Sequence, residues 1–187
     1  MRFILKRRDF LFDEWKYLGE DGTAATAGDG LQGMATGAPI PGDGPAVIVP
    51  FAEFRTHLEK WRAYQGPLGV RLSPIDNVED LTEDIHRLAL VAAEFPGPGE
   101  GRGYSQGRLL RTRFKFKGEL RAVGAGVKQD LLFILARCGF DAFDLAPGQR
   151  IDEALNALER YNIAYQPAQP VPGIGTPRYP QAPSALR

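Results

Sequence analysis

Residues 68–95 read LGVRLSPIDNVEDLTEDIHRLALVAAEF. The apolar runs Leu68–Leu72 and Leu88–Ala93 have the length and the composition of buried strands. Between them, Asp76 can cap a helix, with a glutamate three residues later. The buried side of that predicted helix is formed by apolar residues at helical spacing: Val78, Leu81, Ile85 and Leu88. A strand, a helix and a second strand in this order indicate a βα unit with parallel strands.

The same alternation of apolar runs and helical patterns continues on both sides of residues 68–95. Further strands are predicted at Ala46–Val49, Glu119–Val123, Asp141–Leu145 and Ile163–Tyr165. Further helices are predicted near residues 54–61, 104–114, 127–138 and 151–161. The pattern predicts an α/β fold with a mostly parallel sheet of about five or six strands, built from right-handed βα units. Both an open sheet and a partial barrel agree with it.

The chain length of 187 residues suits a single domain. Residues 1–18 contain two apolar runs and are predicted to form a strand or hairpin segment. Residues 19–45 are rich in Gly, Ala and Thr and are predicted to form a flexible loop. The α/β domain is predicted to span residues 46–166, and the proline-rich residues 167–187 to form a disordered tail.

Composition and charge exclude several classes of function. The 23 basic residues balance the 23 acidic ones, so neither nucleic acid nor an anionic membrane is an expected partner. Cys138 is the one cysteine, which excludes an internal disulfide, a Cys₄ cluster and a CxxC redox pair. With no signal-peptide core and no apolar run of about 20 residues, the protein is expected in the cytoplasm.

A glycine-rich segment connects the predicted strand ending at Ala93 to the next helix. It reads EFPGPGEGRGYS over residues 94–105. Because the amino end of a helix presents free N–H groups and a positive dipole, a small anion is a candidate ligand there. The candidate ligand-binding residues are Gly101, Arg102, Gly103, Tyr104 and Ser105. Alternatively, the segment is a plain connection and Ser105 an ordinary helix cap.

Charged side chains interrupt the predicted strands. They are Arg71, Glu94, Glu119, Arg121 and Asp144. Buried charges need partners, so a structural network of ion pairs is one interpretation and a catalytic site is the other. In the catalytic interpretation, Glu94 or Glu100 acts as acid or base, while Arg121 contributes to ligand binding.

A basic stripe is predicted on the third helix, formed by Arg108, Arg111 and Lys115 at spacings of three and four. It is either solvated or a docking surface for an acidic protein. No metal site is predicted, since His57 and His86 lie in separate helices. No flavin or nicotinamide fingerprint is visible, so the sequence leaves the cofactor unknown.

Five runs in order carry a resemblance to a known family: Glu94–Pro96, Gly101–Gln106, Arg108–Arg111, Gly118–Gly124 and Arg137–Phe143. Between Leu68 and Leu145 the chain resembles the bacterial domain-of-unknown-function family 934. That family is described as a probable oxidoreductase involved in sulfite reduction, encoded beside the sulfite reductase hemoprotein. Two positions depart from the family pattern, because Glu100 replaces an aspartate and Ala125 replaces an acidic residue.

The resemblance implies an accessory protein or oxidoreductase of assimilatory sulfite reduction, with the hemoprotein as its partner. The residues themselves leave a second function open. In that alternative the chain is a stand-alone enzyme that binds a small anionic metabolite at the carboxyl edge of the sheet, where loops and helix ends converge.

Overall fold

The computed structural model describes residues 3–6, 9–19, 44–97 and 99–159. The strands within these ranges are β1 (Phe3–Lys6), β2 (Asp9–Phe12), β3 (Lys16–Tyr17), β4 (Val47–Pro50), β5 (Leu68–Leu72), β6 (Leu90–Glu94), β7 (Glu119–Val123) and β8 (Ala142–Phe143). The α-helices are α1 (Phe51–Thr56), α2 (Leu58–Arg62), α3 (Arg102–Thr112), α4 (Leu132–Arg137) and α5 (Ile151–Glu159). Short 3₁₀ segments occupy Val78–Leu81, Ile85–Arg87 and Gln129–Leu131.

The described strands form one eight-stranded sheet in the order β2-β1-β8-β7-β6-β5-β4-β3. The block from β3 to β8 is parallel, while β1 pairs antiparallel with both β2 and β8. The predicted α/β class and the N-terminal hairpin are therefore confirmed, but the sheet has eight strands and is partly antiparallel, where a mostly parallel sheet of five or six strands was expected. The amino-terminal segment supplies three of the strands, including β3 at the far edge. The predicted strand Ile163–Tyr165, the tail and most of the loop 19–45 lie outside the described residues.

The link between β2 and β3 shows how strongly the sheet curls. These strands lie at opposite edges. In a flat sheet with strands spaced about 4.8 Å apart, the two edges would be about 34 Å apart. Only residues 13–15 join them, and the chain from Phe12 to Lys16 can reach at most about 14 Å. The sheet therefore forms an open half-barrel, whose concave face is crossed by residues 13–15, the strap.

Alternate strand residues face opposite sides of this half-barrel. On the convex side they pack with the helices in the main core, as Val70, Leu72 and Val91 do with Phe54 and Leu110. On the concave side, a smaller apolar cluster is made of Tyr17, Ile48, Leu90, Ala92 and Val123, and Trp15 of the strap packs against it. The strap thus covers the concave face in place of a helix layer.

Several helix predictions need correction. The predicted helix beginning at Asp76 is a pair of 3₁₀ segments capped by the Asn77 side chain, although Val78, Leu81, Ile85 and Leu88 are buried as predicted. The first helix is interrupted at His57, and α4 begins only at Leu132. No helix within the described ranges combines the length and the apolar character needed to span a bilayer.

Candidate functional site

The loops that follow β6 and β7 meet at the carboxyl edge of the sheet. The Phe95 N–H donates to the Val123 carbonyl at 2.8 Å, and the Gly126 N–H donates to the Phe95 carbonyl at 2.7 Å. Gly124 has a φ of +107°, and a Cβ there would lie 2.6 Å from the Phe95 oxygen. Only glycine suits both the conformation and this approach. The glycine-rich segment therefore starts at the predicted ligand-accepting edge, held there by backbone contacts.

The amino end of α3 is already served by a carboxylate of the same chain. The helix begins at Arg102 after Gly101, and Glu100 accepts a hydrogen bond from the Arg102 N–H at 2.9 Å. Ser105 lies within the helix and is exposed, so it is not the cap. The Arg102 side chain is 64% exposed, with its Nε 4.0 Å from Glu100. Glu100 thus already accepts a hydrogen bond from one of the backbone N–H groups that were predicted to bind an anion. The Arg102 side chain points to solvent.

Gly103 and Tyr104 are packing residues. A Cβ on Gly103 would lie 2.5 Å from the Phe95 ring, and the Tyr104 ring meets that same ring edge to face at 5.1 Å. Burial raises the pKa of the Tyr104 hydroxyl above its ordinary value. Gly103 therefore lets α3 approach the sheet closely. Packing against Phe95 thus explains why Gly103 and Tyr104 stand at these positions, and no ligand is needed to explain them.

Gln106 is a buried polar residue that is absent from the predicted site residues. It is almost fully buried, and its Nε2 donates to the carbonyls of Ser73 at 2.8 Å and Asp76 at 3.0 Å. It therefore joins α3 to the loop after β5. A signal was present, because Gln106 falls on the same helical stripe as Gly103, Gly107 and Leu110, all of which are buried.

Arg121 lies at the centre of the concave face and is 3% exposed. Its guanidinium donates to both carboxylate oxygens of Asp13 at 2.9 Å, to the Tyr17 hydroxyl at 2.8 Å, and to Glu119 at 2.8 Å. Lys6 adds a contact of 2.6 Å to Glu119. Burial opposes the charge, but Tyr17, Glu119 and Asp13 outweigh it and hold the pKa of Arg121 above its usual value. This network ties the strap to the sheet.

A second pair lies nearer the carboxyl edge on the same face. Arg71 Nε is 3.4 Å from Glu94 Oε1, and both side chains remain partly exposed. Asp144 shares this face, since it follows the convex-facing Phe143. The predicted charged residues of the strands are therefore brought to one face. Of the predicted catalytic residues, Glu94 lies here, whereas Glu100 lies at α3.

A match to a family model covers the strands and loops that form the carboxyl edge described above. A model of bacterial proteins of unknown function, DUF934, matches residues 69–172, more than half of the sequence. The chain belongs to the DUF934 family. The matched region begins in β5 and includes the loops of the carboxyl edge and all of α3, so it agrees with the family predicted from the sequence blocks. No curated protein matches the chain.

In this DUF934 chain, the Arg111 side chain turns inward instead of joining an exposed stripe. It is 9% exposed and donates to the carbonyls of Gly139 at 3.0 Å, Phe116 at 2.7 Å and Gly118 at 2.8 Å. It also contacts Asp141 at 3.1 Å. Burial lowers the pKa of Arg111, and burial raises that of Asp141 against the opposing effect of the guanidinium. Arg111 is thus an internal clamp.

The other two residues of the predicted stripe are exposed. Arg108 lies on the outward side of α3, and Lys115 follows the helix end in a left-handed turn with a φ of 53°. Arg108 and Lys115 together are called the α3 basic surface below. Among residues 3–6, 9–19, 44–97 and 99–159, no group of three or more His, Cys, Asp or Glu is placed to hold a metal ion.

Proposed function

We propose that this DUF934 protein is an accessory protein of assimilatory sulfite reduction that docks on the sulfite reductase hemoprotein. The link to sulfite reduction comes from the family resemblance. The observation that carries the docking role is the contrast between two sets of cations: Arg111 and Arg121 are bound internally, whereas the α3 basic surface faces solvent. Exposed cations on a chain of zero net charge suit an acidic patch on another protein.

The docking proposal predicts a charge-dependent complex. In a binding titration with purified hemoprotein, the double variant Arg108→Glu/Lys115→Glu should bind at least about tenfold more weakly, because each reversal replaces attraction by repulsion. The affinity of the unmodified chain should also fall as salt is added, since exposed charge pairs are screened.

A matched control reverses two exposed cations elsewhere, Lys60→Glu/Arg150→Glu, and should leave the affinity unchanged. Failure of the unmodified chain to bind the hemoprotein at tens of micromolar would overturn the docking role. Normal sulfite reduction in cells that lack the protein would overturn the assignment to this pathway.

The Arg71–Glu94 pair favours a second candidate, an enzyme that acts on a small anionic metabolite. Glu94 ends β6 on the concave face and stays partly exposed, and ligands collect at this edge in parallel α/β sheets. In this alternative Glu94 is the acid or base, and the exposed Arg102 side chain binds the anion.

This second candidate predicts stabilisation by ligand. Sulfite, sulfate or phosphate at about 100 times its dissociation constant should stabilise the fold by about 2.7 kcal/mol, a rise of several degrees in melting temperature. Arg102→Ala should abolish the rise without changing the melting temperature of the free protein, since the side chain is exposed. A thermal-shift series with no stabilisation by any of these anions would eliminate this function.

A further inference from the structure

Among the residues that the structure describes, none donates a hydrogen bond to the Glu94 carboxylate. Its closest cation is Arg71, whose Nε lies 3.4 Å from Glu94 Oε1, beyond the range of about 2.7–2.9 Å for a charge-assisted hydrogen bond. By contrast, Asp13 and Glu119 at the same face accept hydrogen bonds from Arg121 at 2.9 Å and 2.8 Å. The Glu94 side chain is 32% exposed, so a ligand with hydrogen-bond donors can reach its oxygens.

An apolar surface borders the Arg71–Glu94 pair. The strand register places Ala92 beside Arg71 and Val123 beside Glu94. Both apolar residues belong to the concave cluster against which Trp15 of the strap packs. The pair also lies at the carboxyl ends of parallel strands, where ligands collect in α/β sheets. A ligand that enters here therefore meets a guanidinium, a carboxylate and an apolar surface together.

The short distance between the two charges restricts the class of ligand. A simple anion bound to Arg71 would lie next to Glu94, and like charges so close together repel each other. A simple cation bound to Glu94 would be repelled by Arg71 in the same way. A ligand with both charges avoids either repulsion when its charged groups are as close together as the two side chains. An α-amino acid meets this condition, because its carboxylate and its ammonium group are attached to the same carbon atom.

We propose that the rim of the concave face at Arg71 and Glu94 binds an α-amino acid with an apolar side chain. The Arg71 guanidinium binds the carboxylate of the amino acid, and Glu94 accepts hydrogen bonds from its ammonium group. The apolar side chain lies against the concave cluster beside Trp15, where its burial adds affinity. This proposal rests on the second candidate function, because it names the class of metabolite that is bound at that site.

A thermal-shift series on the full chain tests the class of ligand. Free leucine, methionine and phenylalanine at about 10 mM should raise the melting temperature, because they bind the folded chain. The best of the three should bind at least about tenfold more tightly than two analogues, the acid that lacks the ammonium group and the amine that lacks the carboxylate. Each analogue leaves one of the two protein side chains facing a like charge. An acid that binds as tightly as the amino acid would contradict the proposal.

The substitution Glu94→Gln separates the two kinds of ligand. It should weaken binding of the amino acid at least about tenfold, because an amide does not balance the ammonium charge, and strengthen binding of the acid, because the repulsion is removed. A residue that only supports the fold would not change two affinities in opposite directions. The matched control Glu59→Gln, at a side chain that is 92% exposed, should leave both affinities unchanged. Circular dichroism melting of each variant checks that the fold is retained.

Two further results would overturn the proposal. One is equal affinity of Glu94→Gln and the unmodified chain for the amino acid. The other is a series in which none of the three amino acids stabilises the chain. If sulfate or phosphate stabilises the chain in that same series, the second candidate function stands and only the amino-acid ligand is eliminated. Docking on the hemoprotein is measured with variants of the α3 basic surface, so these results do not affect it.

Discussion

Arg121→Met is expected to destabilise the protein by about 3–5 kcal/mol in urea unfolding. The substitution leaves the Asp13 carboxylate buried without the guanidinium that compensates it, whereas Glu119 keeps Lys6, and an uncompensated buried charge has a cost of that size. It also removes the hydrogen bond to the Tyr17 hydroxyl. Hydrogen exchange should then show lost protection in the strap and in β3 before the rest of the sheet.

A double-mutant cycle separates the ion pair from the packing around it. Asp13→Asn/Arg121→Met should be less destabilised than the sum of the two single variants, because the first change removes the charge that the second leaves uncompensated. Arg71 lies on the same face but is partly exposed, so Arg71→Met should lower the free energy of unfolding clearly less than Arg121→Met does. A loss below about 1 kcal/mol for Arg121→Met would show that the strap is held by Trp15 alone.

Arg111→Ala is expected to cost about 3–4 kcal/mol in the same measurement. Three backbone carbonyls lose their donor, and Asp141 loses its cation while it remains buried. Each unsatisfied buried acceptor costs about 1–3 kcal/mol when water cannot reach it. Water can partly enter the space that the Arg111 side chain leaves. The loss of unfolding free energy should therefore be smaller than the sum of the costs of the individual unsatisfied acceptors.

Arg108→Ala is the control on the same helix, and it should change the free energy of unfolding by no more than about 0.5 kcal/mol, as an exposed substitution does. Arg111→Lys should recover only part of the loss, because one ammonium cannot reproduce the fork that reaches Gly139 and Phe116 together. Equal losses for Arg108→Ala and Arg111→Ala would contradict the internal clamp.

The sequence was informative where a local pattern decides the structure. The bounds of β5 and β7 were predicted to the residue, because turn-forming residues flank both strands, Pro67 and Ser73 at β5 and Gly118 and Gly124 at β7. The stripe from Val78 to Leu88 is buried as predicted, yet its backbone is 3₁₀ and not α-helical. Apolar residues at spacings of three and four can line one side of an α-helix or of consecutive 3₁₀ turns. The burial of these residues was therefore predictable, but the backbone hydrogen-bond pattern was not.

The site was harder to predict because its contacts are distant in the sequence. The two-residue period of a strand assigns Glu119 and Arg121 to one face, but Asp13, the partner of Arg121 in the strap, is 108 residues away. Arg111 has the spacing of an exposed helical residue, and only its tertiary surroundings show that its long side chain reaches buried carbonyls. The glycine motif was interpreted as a ligand loop, whereas Gly103 and Gly124 allow close packing against Phe95.

The position of the strap has a consequence for biosynthesis. β1 can pair with β8, and Asp13 with Arg121, only after most of the chain has been made. At about 5–20 residues per second, ribosomes need roughly 5 to 20 seconds to synthesise the intervening residues. During that time the β1–β2 hairpin, with its phenylalanines, lacks the strand β8 that it pairs with in the folded protein. The hairpin and the strap are thus synthesised before the strands they contact, and they complete their native contacts late in folding.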